Sequence, residues 1–230
     1  MQYAIARLTL VSLLALAAAA CDDDDDVTGP DDAALLRVVN AAPVADVQVR
    51  VVGTATPLAS DLDFRGSTQT CVEVPDGEQA LVFSSSGVEL ATTAFTFERG
   101  LRYTAILVAS GPTRRAVVLD DNEIVSTANN GLRFINATPS PGDVYVTAPG
   151  GAVLPTFLVD DDLAVLATSN DFPPYFDRSI DHTQVRLFDV GTTTGTPRAD
   201  FALTGLPANR LATVVFTPAT PTAFMVIPCP

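Results

Sequence analysis

The chain of 230 residues has no tryptophan, no lysine, one histidine and three cysteines. Without tryptophan it lacks the buried ring that, together with a disulfide, marks true antibody domains. With His182 as the only imidazole, a histidine-based zinc site has too few ligands, and any Ser-His-Asp triad would depend on that one residue. No G-x-S-x-G elbow accompanies it. The missing lysine reads as genomic base composition. From Ala33 onward there are 20 acidic residues against 12 arginines, with no basic stripe, which argues against nucleic acid or an anionic membrane as partner of the folded part. Long apolar runs are also scarce. The one at the start, Leu8 to Ala20, is interrupted only by Thr9 and Ser12, and at about 13 residues it falls short of the roughly 20 that a spanning helix needs.

What is present begins with that run. One cation at Arg7, a short apolar core and small residues before a cut site form a secretory signal peptide, expected over residues 1–20. Ala18-Ala19-Ala20 suits an ordinary signal peptidase. A cysteine directly after small residues, Cys21, also resembles the lipobox of bacterial lipoproteins, although Ala18 stands where that pattern favours leucine. The resemblance implies a lipidated Cys21, with the bilayer as partner of the acylated N-terminus and an extracytoplasmic, membrane-anchored location on a periplasmic face or cell surface. Asp22 to Asp26, Asp31 and Asp32 then contribute −7 to a net charge of −14. Such a segment cannot bury enough surface to offset the entropy of ordering, so residues 21–34 are expected to be an acidic tether, spanning on the order of 45 Å when extended.

Two cysteines remain. Cys71 and Cys229 form an even pair in an oxidising compartment, and a disulfide between them would join the first half to the end of the chain. Two separately buried thiols are the alternative.

The sequence repeats. LRVVNAAPVADVQV at Leu36 to Val49 returns as LRFINATPSPGDVYV at Leu132 to Val146, an offset of 96 residues with one insertion. QALVF from Gln79 and RYTAILV from Arg102 return as QVRLF from Gln184 and RLATVVF from Arg210. Val47 to Val51 and Phe95 to Glu98 alternate as half-buried strands do, whereas Ala105 to Val108 and Ala116 to Leu119 are continuously apolar and suit strands buried on both faces. Turn residues separate the runs, for instance Pro75-Asp76-Gly77, Ser86-Gly87 and Asn129-Asn130-Gly131. The expectation is an all-β chain of two tandem antiparallel β-sandwich domains of immunoglobulin-like size, at residues 35–128 and 129–230.

Asn40 and Asn136, each followed three residues later by proline, suit a corner between a first and a second strand: the side chain bonds backbone two residues on, and proline stops the ladder. LRVVNAAP with DVQV, and LRFINATP with DVYV, resemble the opening of the domain of unknown function 4397 family of bacterial envelope proteins. Where that family often has histidine in the corner, this chain has asparagine, so no role of that histidine carries over. The resemblance implies secreted or lipid-anchored β domains without an established activity.

Candidate chemistry is thin. Asp160-Asp161-Asp162 and Asp120-Asp121-Asn122-Glu123 lie where strands are expected to end, yet neither has a calcium-loop register. Paired acids for glycoside hydrolysis depend on a spacing that only the fold decides. Pro173-Pro174-Tyr175-Phe176 reads as a packed loop or an exposed aromatic patch. No catalytic residue, metal ligand or cofactor is assigned. The expected function is a non-enzymatic envelope lipoprotein with a structural or recognition role, the alternative being a glycan- or peptide-binding adhesin-like module, with an envelope protein or glycan as possible partner and calcium as possible aid.

Overall fold

The computed structural model describes residues 33–169, 175–220 and 222–230. The expected signal peptide, Cys21 and nearly all of the acidic tether therefore lie outside the described residues. The described chain is all-β, and its only helical element is a single 3-10 turn at Pro155–Phe157.

Its strands form two sandwich-like units. In the first, one sheet orders β4 (Val72–Val74), β1 (Ala34–Ala41), β7 (Arg102–Ser110) and β8 (Thr113–Asp120). The facing sheet orders β3 (Ala59–Leu62), β2 (Val47–Val51), β5 (Gly77–Ser85) and β6 (Val88–Phe97). The second unit repeats the plan, with β12 (Phe176–Ser179), β9 (Asn129–Asn136), β15 (Leu211–Phe216) and β16 (Ala223–Val226) against β11 (Leu158–Leu163), β10 (Gly142–Thr147), β13 (Gln184–Phe188) and β14 (Ala199–Ala202). Pairing is antiparallel except that β1 runs parallel to β7, and β9 to β15.

Local sequence explains most elements. In β2 the valines at 47, 49 and 51 are buried while Gln48 and Arg50 are exposed, as a period of two requires. Ser86 and Gly87, at φ 50° and 78°, close the β5–β6 hairpin with the two positive φ values that a tight two-residue turn needs. Each repeated asparagine sits at a corner where the chain leaves one sheet for the other. Asn40, fully buried, donates to the carbonyls of Val44 at 2.6 Å and Leu62 at 3.0 Å and accepts from the Ala42 amide at 3.0 Å. Asn136 donates to Ser140 at 2.9 Å and Leu163 at 2.9 Å and accepts from Thr138 at 3.0 Å.

The two units are stacked rather than strung out. Leu36, Val38, Val49, Leu81, Phe83, Phe97, Tyr103 and Leu107 fill the first sandwich, and Leu132, Phe134, Val144, Val146, Val185, Val214 and Phe216 the second. A third core lies between the units, where Val39, Ala41, Ile106 and Val108 meet Ile135, Ala137, Val215 and Val226. Val39 and Ile135 hold the same place in their units, as do Ala41 and Ala137. The units thus join through the same sheet face, and the continuous apolar run of β7 is buried on both sides for that reason. Ala116 to Leu119, on an edge strand of the same sheet, is only partly covered.

The sheet register refines the repeat. Arg37 pairs with Thr104 and Arg133 with Thr213, so the last repeated block is offset by one residue from the match suggested by its arginines.

Candidate functional site

The layer between the units is apolar in its middle and polar at one end. Strand alternation sends every second residue of β1 and β9 into this layer, so the row that includes Val39 also includes Arg37, and the row that includes Ile135 also includes Arg133. Arg133 is almost wholly buried. Its Nη2 donates to Asp121 Oδ1 at 2.6 Å, its Nη1 to the Asp120 carbonyl at 2.8 Å, and its Nε and Nη2 to Thr213 Oγ1 at 3.3 and 3.1 Å. The guanidinium carbon lies 4.2 Å from the centre of the Tyr175 ring, within range of a cation–π contact.

Asp121 is the hub. It follows β8 directly and opens the segment leading to β9. Its Oδ2 accepts from Thr104 Oγ1 of the first unit at 2.5 Å, while its Oδ1 accepts from Arg133 and from the Tyr175 hydroxyl, at 2.6 Å, of the second. One carboxylate therefore binds both units. A buried ion pair adds little net stability over an apolar replacement, but it is unforgiving of displacement because either partner alone would be left uncompensated. The junction thus fixes how the units sit. Burial raises the Tyr175 phenol well above its ordinary range, with Arg133 opposing and Asp121 adding to the shift.

Arg37 takes the corresponding place in the first unit, with Nη1 2.7 Å from the Thr68 carbonyl and Nη2 3.7 Å from Cys71 Sγ. Burial lowers its pKa, opposed by the charge of Asp121. Cys71 is disulfide-bonded to Cys229 across a sequence separation of 158, which ties the first unit to the segment after β16.

Beside this junction a cleft of about 220 Å³ opens at the end of the layer between the units. Arg102, at the start of β7, and Arg210, just before β15, line it together with Asp121, Glu123, Leu211 and residues 227–230 at the end of the chain. Ile124 stands at its rim with 94% of its surface exposed. Burial raises the Glu123 carboxyl above the usual carboxylate range, partly opposed by the Tyr175 amide that donates to its Oε2 at 3.2 Å.

The other candidates are scattered. Asp160, Asp161 and Asp162 lie within β11 rather than beyond a strand end. Asp161 approaches Asp143, whose negative charge raises its pKa. Among the described residues no three carboxyl, thiol or imidazole groups are grouped to hold a cation. His182 packs edge-on against Phe157, with ring centres 5.4 Å apart. Tyr175 belongs to no exposed aromatic patch. It is 1% exposed, because its ring covers Arg133 and its hydroxyl needs Asp121; Pro173 and Pro174 fall outside the described residues. Nothing in the sequence alone pairs Arg133 with Asp121, although an arginine repeated inside an apolar strand, at Arg37 and Arg133, is a signal of it.

The sequence matches the family described as Domain of unknown function (DUF4397) over residues 23–147, more than half of the chain. The chain belongs to this family. The match takes in the whole first unit and continues through β9 and β10 of the second. No curated protein matches the chain.

Proposed function

We propose that the protein is a non-enzymatic, lipid-anchored protein of the cell envelope that displays two tandem copies of the family domain as one rigid body, for a structural or recognition role. The observation that carries this reading is the Cys71–Cys229 disulfide between the units. Structural disulfides persist in oxidising, extracytoplasmic compartments, which agrees with a signal peptide over residues 1–20 and with acylation of Cys21.

The strand plan of the second unit supports the tandem copies, since β9 to β16 repeat the sheet orders of β1 to β8 with Asn136 bonded as Asn40 is. The non-enzymatic reading is supported by how the buried charges are used. Arg133 and Asp121 satisfy each other and hold the units together, rather than converging on a vacant reacting position. A protein stiffened in this way, standing off the bilayer on an acidic tether, suits presentation of a surface.

The test is the intact mass of the membrane-extracted protein beside that of a Cys21→Ser variant. A mature chain beginning at Cys21 with added acyl mass, and a variant released from the membrane, is the expected result. An unmodified soluble chain would overturn the anchored reading and assign Ala18-Ala19-Ala20 to an ordinary signal peptidase.

A further inference from the structure

In an acidic protein most arginines are spent on internal partners. Arg133 holds Asp121, Arg198 reaches Asp189, Arg186 reaches Asp200, and Arg115 donates to the Leu166 carbonyl. Among the described residues the guanidinium groups of Arg102 and Arg210 have no hydrogen-bond or ion-pair partner, and both line the cleft at the junction. Arg50 and Arg114, similarly without partners, are instead exposed on open strand faces. Two guanidinium groups at one cleft match a carboxylate or phosphate. Of the two carboxylates in the lining, Asp121 is already paired with Arg133 and Glu123 offsets one of the free arginines, leaving room for about one further negative charge, which disfavours a doubly charged phosphate. The rest of the lining mixes Asn209, Cys229 and Pro230 with the aliphatic Val125, Leu211 and Ile227, with the bare Ile124 at the rim and no aromatic ring. A sugar would find no stacking surface there. The volume of about 220 Å³ is below the roughly 300–1,000 Å³ of drug-sized pockets and admits a terminal residue rather than a chain passing through.

We infer that this cleft captures the free C-terminal carboxylate of a peptide ending in an aliphatic residue, with Arg102 and Arg210 binding the carboxylate and Ile124, Val125 and Ile227 contacting the last side chain. Capture of a chain terminus in this manner is an established mode of peptide recognition. The inference rests on the recognition reading proposed above and gives it a ligand class.

The test uses the processed chain carrying Cys21→Ser, with its disulfide intact and its isoleucine methyl groups isotopically labelled. The probes are acetyl-Gly-Ala-Leu with a free carboxylate and the same tripeptide as its amide. The free acid is expected to shift the Ile124 and Ile227 methyl resonances saturably, and the amide to bind at least about tenfold more weakly. Arg102→Gln and Arg210→Gln are each expected to weaken the acid about tenfold, with Arg50→Gln and Arg114→Gln unchanged. Both cleft arginines are exposed, so these variants are expected to fold. Equal binding of acid and amide, equal weakening by Arg50→Gln, or no shift at tens of millimolar peptide would overturn the inference. Sodium glucuronate or inorganic phosphate binding as tightly as the tripeptide would overturn the peptide assignment. Acyl mass on Cys21 without peptide binding would sink this inference while leaving the anchored envelope reading intact.

Discussion

Asn40 and Asn136, 96 positions apart, each bracket a corner loop to a neighbouring strand by donating two hydrogen bonds and accepting one from the amide two residues on, Asn136 accepting a second from the Thr138 hydroxyl. Both are fully buried, and the bonds to Leu62 and Ala42, and to Leu163 and Thr138, are made where water cannot replace them. Asn40→Ala strands the carbonyls of Val44 and Leu62 and the amide of Ala42, and is expected to destabilise the fold by about 2–4 kcal/mol. Asn40→Asp keeps the acceptor but sets a carboxylate against two carbonyls. It is expected to lose more than the alanine variant at pH 7 and to recover part of the loss as pH falls and the carboxyl gains a proton it can donate. Urea unfolding at pH 7 and pH 4 measures both effects; an alanine variant within about 0.5 kcal/mol of the parent would show that the corner holds without its bracket.

The Asp121–Arg133 pair, with side chains 0% and 2% exposed, is expected to behave as a unit. Asp121→Asn and Arg133→Met should each destabilise by about 3–5 kcal/mol, because each leaves a buried charge uncompensated. The double variant should lose clearly less than the sum, and added salt should change little, since a buried pair is poorly screened. The exposed Arg99–Asp76 pair, at 3.9 Å, is the contrasting case, where loss of either charge should be nearly silent. Additive losses at Asp121 and Arg133 in a double-mutant cycle would remove the junction as a coupled element.

Glu123 supplies a pH signature. Its folded pKa is raised above the ordinary 4.5, first by burial. The folded protein therefore holds this proton more tightly than the unfolded chain does. The associated stability is full below about pH 4.5 and is lost as pH rises through the raised value. Glu123→Gln keeps an oxygen to accept from the Tyr175 amide and removes the charge. It is expected to be more stable than the parent at pH 7, with the gap closing below about pH 4.5. Denaturation midpoints across pH 4 to 8 check this, and a gap that widened toward acid would reverse the assigned sign.

Much of this architecture was legible because strand alternation and turn residues are local signals. Val47 to Val51 announced its buried face, and Ser86-Gly87 its turn. The duplication announced two units, and the asparagine corners their connections between sheets. The junction was hidden because it depends on how one unit faces the other. Alternation put Arg37 and Arg133 on the face opposite the sandwich cores, which in a lone domain would be solvent. Only stacking of the units turns that face inward and buries Arg133; the burial of Tyr175 matches the packed-loop reading of its segment, but the partners it packs on, Arg133 and Asp121, were not readable. Arg102 and Arg210 share a cleft for the same reason, although in sequence they are merely the first residues of two matching runs.

The disulfide closes the largest loop in the fold, and its effect can be separated from that of the junction. For a separation of 158 residues the chain-entropy description gives about 5 kcal/mol, an upper figure for bridges that usually deliver about 2–4. Removing it should therefore act on the unfolded chain and leave the folded layers in place, because Asp121 and the apolar residues between the units hold the interface without Cys229. A Cys71→Ser/Cys229→Ser variant is expected to lower stability by about 2–4 kcal/mol, with unfolding still a single transition, since the shared core makes the two units one cooperative body. Two resolved transitions in the variant, with a single one in the parent, would mean that the covalent tie rather than the packed junction unites the units. In that case the cleft beside Cys229 would hold its shape only while the bridge is intact, and tripeptide binding would fall on adding reductant.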